Sequence, residues 1–189
     1  MTVRLRTAAL IAAPLLLAGC AAADAGTTAS GSTATAPSAS AVATTAGTTP
    51  PANASMVCGN EIRGKVQQVL KLPALPTVHS TWIKQVYTCT YDLPAGRMIL
   101  TVQVAATNTA ADAAFQARQK ATVGATPLLG LGEHAYATPD GTATVIKDAM
   151  TLEVDTTALP AVFGAEQQKR TDLANEIASD VLGCWTGDE

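Results

Sequence analysis

The sequence predicts an α+β domain: a curved antiparallel sheet of about five strands packed against two to three helices. Three observations carry this reading. Residues 82–93 alternate in polarity, as do Met98, Leu100, Val102 and Val104, and Pro94-Ala95-Gly96 between them is a hairpin signal. A second hairpin signal, Pro139-Asp140-Gly141, separates residues 134–138 from 142–147. Helical spacing is confined to residues 60–72, 110–121 and 165–182, so helices and strands mix without the strict alternation of a parallel sheet.

The N-terminal quarter is of another kind. Arg4 and Arg6 precede a compact apolar stretch from Thr7 to Ala18, broken by Pro14 and too short to span a bilayer as a mature helix. It ends in Leu17-Ala18-Gly19-Cys20, which resembles a bacterial lipobox. Residues 1–19 are therefore expected to be an export signal, with Cys20 diacylated as the new N-terminus. Each buried methylene contributes about 0.8 kcal/mol, and two acyl chains anchor stably where one does not. Losing Arg4 and Arg6 leaves ten basic against 15 acidic residues, a net charge near −5, so lipid rather than basic side chains would hold the membrane.

Residues 21–55 hold one charged residue, Asp24, and no aromatic, with Ala, Thr, Ser, Gly and Pro supplying nearly everything. Such a stretch buries too little apolar area to offset its ordering entropy. Residues 20–55 thus read as a lipidated cysteine and a flexible tether, with a mean reach of roughly 30–35 Å. Threonines and serines near Pro37, Pro50 and Pro51 fit O-glycosylation as well as they fit a bare spacer.

Residues 56–189 remain as a single domain large enough for a core. Asn60 is expected to cap a helix reaching about Leu72, with Ile62, Val66, Val69 and Leu70 on one face; Gly64 weakens it, and Pro73 and Pro76 end it in an extended link. The strand over 82–93 puts Ile83, Tyr87, Cys89, Tyr91 and Leu93 on one face, interrupted by Gln85. Trp82 and Val86 fall on the polar face, marking either an exposed apolar patch or a face that a helix covers. Asn108 or Thr109 begins an Ala-rich helix anchored by Phe115. Short strands follow at 134–138, 142–147 and 150–155, with Met150, Leu152 and Val154 inward. A last helix over Ala165–Leu182 turns Leu173, Ile177 and Val181 to one side.

Beyond Cys20, the cysteines are Cys58, Cys89 and Cys184. Export permits a disulfide. The favoured pair is Cys58–Cys89, since Cys89 lies on the apolar strand face and Cys58 opens a helix that must pack there. Cys184 is then a buried thiol; pairing with Cys58 instead, or between molecules, stays open.

Met56-Val57-Cys58, the helix carrying Val66 and Leu70, and Cys89-Thr90-Tyr91 leading into Met98–Val104 resemble the DUF3558-type lipoproteins of actinobacteria. Leu129-Gly130-Leu131-Gly132-Glu133-His134-Ala135-Tyr136 is similar to that family's "GLGD-A" segment, with Glu133 where Asp is usual. The resemblance covers about residues 56–183 and extends, more distantly, to the extracellular sensor domains of actinobacterial Ser/Thr kinases. It implies an extracytoplasmic α+β domain with a helix-to-strand disulfide, in support of Cys58–Cys89. It transfers no catalytic residue, and Cys184 departs from the pattern.

Reactive constellations are sparse. His79 and His134 lie in different segments, and neither has a second ligand two to four residues on, so no metal site is expected. There is no G-x-S-x-G motif. Ser80 and Ser179 are the domain's only serines after the first helix, and Ser80 beside His79 on an extended segment points the opposite way. Gly130-Leu131-Gly132 lacks the third glycine and following helix of a phosphate cradle. Glu153 and Asp155 share an outward strand face as solvated charges. No catalysis, cofactor or nucleic-acid partner is expected, the last because nothing neutralises a row of phosphates. The expectation is a monomeric, lipid-anchored module on the extracytoplasmic face of the cell membrane. It would bind or sense an envelope protein; the alternative is a carrier of a lipid or other apolar ligand in a sheet–helix cavity.

Overall fold

A computed structural model describes residues 49–164 and 166–185. The export signal, Cys20 and the tether up to residue 48 lie outside the described residues. The chain forms one helical turn α1 (Ala52–Ser55), a 3₁₀ turn (Met56–Cys58), α2 (Asn60–Val69), β1 (Thr77–Ile83), β2 (Val86–Leu93) and β3 (Gly96–Val104). It continues through α3 (Asn108–Ala121), β4 (Thr126–Pro127), β5 (His134–Ala137), β6 (Thr142–Lys147), β7 (Met150–Asp155), β8 (Val162–Phe163), β9 (Gln168–Lys169) and α4 (Arg170–Trp185). β1 to β7 build one open antiparallel sheet in the order β1-β2-β3-β7-β6-β5-β4, and β8 and β9 pair as a separate ribbon. The α+β class and antiparallel sheet are as expected, with seven strands rather than about five.

The extra strands have physical causes. Residues 82–93 are not one strand: Lys84 and Gln85 take positive φ of 50° and 64° and fold β1 back on β2. That is a two-residue hairpin turn in the left-handed region, built without the Asn or Gly that normally announces it. The register Trp82↔Tyr87 and Ser80↔Cys89 turns Trp82 inward against the core. Ile83 moves to the outer face and is 63% exposed. The expected placement of both residues is therefore reversed. β4 is a two-residue edge strand where the sequence predicts no strand.

One face of the sheet carries the core. Cys89, Tyr91, Met98, Leu100, Val102, Val145, Leu152 and Val154 are buried under Ile62 and Val66 of α2 and Leu173, Ile177 and Val181 of α4. Tyr91 donates a hydrogen bond to the Val57 carbonyl, and burial pushes its phenol above the usual range. Among the described residues the other face has only α3, whose Phe115 and Ala111 pack on Tyr136 and Ile146, with the Phe115 and Tyr136 rings 5.4 Å apart. Thr107, not Asn108 or Thr109, caps α3, its hydroxyl accepting from the Ala110 N–H at 3.1 Å.

Two boundaries shift. The folded unit begins before residue 56, because Ala54 is fully buried and the Trp185 indole donates to the Asn53 carbonyl at 2.8 Å. The last helix starts at Arg170, not Ala165, because Val162–Phe163 and Gln168–Lys169 pair first. Among the described residues no helix is long and apolar enough to cross a membrane.

Candidate functional site

α2 ends in a Schellman motif. Lys71 takes φ +50°, its N–H reaches the Gln68 carbonyl at 3.2 Å, and the Leu72 N–H reaches the Gln67 carbonyl at 2.9 Å. The motif reverses the chain and holds Val69, Leu70 and Leu72 together at one end of the domain. Opposite lies the β2–β3 turn with Leu93, Pro94 and Ala95. Gly96 closes that turn at φ +142°, where a Cβ would come within 2.5 Å of the Ala158 carbonyl oxygen. The β8–β9 ribbon supplies a third wall through Phe163.

The three walls enclose a solvent-open groove of about 300 Å³. That is the lower end of the range for small-molecule sites, about 300–1,000 Å³. Its charged groups are at the rim: Lys71 Nζ lies 3.0 Å from Glu166 Oε1, both side chains 71% exposed, so the pair contributes little to stability. The groove offers apolar contact under an ion pair that can open. It has no nucleophile among its described lining residues.

The residues singled out from sequence fall as follows. Cys58 and Cys89 are joined as a disulfide with Cα atoms 5.6 Å apart, and among the described residues Cys184 is the free thiol. Cys184 is half-buried rather than buried. Desolvation pushes its thiol up to about 11, helped by a hydrogen bond to the Glu61 carboxylate, so it is protonated at neutral pH. His79 pairs with Asp92 at 3.1 Å on the outer face of β1, while Ser80 opposite Cys89 faces the other way, so the two are not brought together. His134 lies 3.9 Å from Asp112, and among the described residues no three metal-ligating side chains cluster. Glu153 and Asp155 do share the outer face, but neither is simply solvated. Glu153 pairs with Arg118, and Asp155 accepts from the Thr157 N–H at 2.8 Å. Glu133, in the family-like segment, accepts from the Asp148 N–H at 2.8 Å and braces the β6–β7 turn.

Phe163, Lys71 and Glu166 are among the groove residues that sequence reading missed. The ribbon around Phe163 is two residues per strand, too short for any alternation to show. Lys71 is a left-handed C-cap with no glycine to announce it. No family model, curated protein or solved structure matches the chain.

Proposed function

We propose that this chain is a membrane-anchored extracytoplasmic lipoprotein of the DUF3558 type, acting as a non-catalytic binding module whose groove takes an apolar segment of an envelope protein. The observation that supports it is the groove's composition, with apolar walls from three separate elements and one ion pair at the lip. Such a lining recognises shape and apolarity; its described residues include no nucleophile, and its ionisable groups, Lys71 and Glu166, pair with each other at the exposed lip. Anchorage rests on Leu17-Ala18-Gly19-Cys20.

The second reading, a lipid carrier, is favoured by the same apolar walls. It meets a limit in size, because the space between sheet and helices is filled by Tyr91, Met98, Leu100 and Ile177, and the groove at the edge has room for one short chain. A photoreactive phenylalanine analogue at position 163 of the full chain, activated in intact cells, tests both. Adducts to a defined envelope protein are expected. Adducts to lipid alone would make the carrier the better reading, and no adduct beyond background would remove the groove as a site. Anchorage has its own test: Cys20→Ala should move the protein from the membrane fraction to the soluble one, and retention would refute the lipid anchor.

A further inference from the structure

The outer face of the sheet holds a second recess, on the opposite side from the apolar groove. Strand register places Thr81, Thr88, Thr101, Glu153, Thr144 and Tyr136 in one row across six strands. Where α3 ends above this row, the face sinks into a polar recess of about 600 Å³. Thr144 and Tyr136 form its floor, each almost wholly buried. The Thr144 Oγ1 has no hydrogen-bond partner among the described residues. A buried hydroxyl without a partner is an exception in folded proteins and calls for an explanation.

We propose that this recess binds a neutral saccharide, with Thr144 at its floor. The walls carry what vicinal hydroxyls require. Arg118 donates, Glu153 and Asp140 accept, and the Thr142 hydroxyl does either. Anionic ligands are disfavoured: the one guanidinium is already paired with Glu153, and the Asp140 carboxylate adds a second negative charge. Metal binding is not supported by two carboxylates, Glu153 on β7 and Asp140 in the β5–β6 turn, and the described residues hold no cluster of three ligating groups. Val123 at the lip, 94% exposed, offers an apolar contact for the C–H face of a sugar ring.

The test is calorimetric titration of the full chain in detergent with glucose, mannose, galactose, arabinose and N-acetylglucosamine, and with their short oligomers. Saturable binding of at least one is expected. Binding of the monosaccharide marks a free sugar as ligand; binding of oligomers alone marks the end of a polysaccharide. Thr144→Val keeps the shape and deletes the hydroxyl. It should weaken binding at least tenfold while leaving the melting temperature unchanged or higher, a combination that a merely structural role would not produce. Glu153→Gln should weaken binding too. Wild-type protein that binds no sugar, that binds inorganic phosphate more tightly than sugar, or that is matched by Thr144→Val would overturn the proposal.

Discussion

The two faces of this sheet are made by the same strands and obey opposite rules. On β3, Met98, Leu100 and Val102 are fully buried, whereas Ile99, Thr101 and Gln103 between them look outward. The inner face is closed by α2, α4 and a disulfide. The outer face is a field of threonines with, among the described residues, a single helix over one end. Threonine suits this position, since its branched Cβ favours the extended backbone while its hydroxyl keeps the surface polar. The comparison teaches that stability is concentrated on one side of the sheet, which leaves the other free to carry recognition.

The disulfide gives the largest contrast. Cys58→Ala and Cys89→Ala should each cost about 3–4 kcal/mol in denaturant unfolding, because the bond closes a loop of about thirty residues, and the double variant should add little to either. Costs that summed would mean the two sulfurs act separately. Next come neighbours on β3. Leu100→Ala should lose about 3 kcal/mol and Thr101→Ala about 0.5 or less; equal losses would remove the distinction between faces. Trp185→Phe deletes the indole bond to Asn53 and should cost about 1 kcal/mol, with protease cleavage rising around residues 52–55. On the exposed side, Lys84→Asn with Gln85→Gly installs the residues that the β1–β2 turn favours. It should gain about 0.5–1 kcal/mol, and a loss would argue against that turn.

The smallest effect is chemical. With its pKa raised from 9.0 to about 11, Cys184 should alkylate at pH 8 roughly 100-fold more slowly than a free cysteine. Its folded-state pKa lies above the unfolded one. The associated stability is therefore present below pH 9 and falls as pH rises through 11. Rapid labelling at pH 8 would contradict this environment.

Most of the inner face was legible because alternation and helical spacing report burial directly. Met98–Val104, 142–147, 150–155 and the Leu173, Ile177, Val181 stripe all fall where periodicity puts them. The Cys58–Cys89 pairing followed from the strand face and the helix that covers it. Several of the failures share one cause. Lys71, Lys84 and Gln85 adopt left-handed backbone that their residue types seldom take, so no Gly or Asn announces the reversal after α2 or the β1–β2 turn. Reading residues 82–93 as one strand then reversed Trp82 and Ile83, since the turn inverts which residues share a face. Neither recess was visible, because each is assembled from elements distant in sequence and two of those elements were not foreseen.

The covalent link between Cys58 and Cys89 also decides how a mechanical load would travel. Cys58 sits six residues beyond the start of α1, and Cys89 is mid-strand in β2. Traction applied through the chain ahead of Ala52 first meets the hydrogen bond from Trp185 and then a covalent tie to the sheet. The first can yield and re-form; the second delivers the force to β2 without peeling α2 away. A domain built this way can be tugged by its N-terminal end while the turn ahead of α2 stays tied to the sheet.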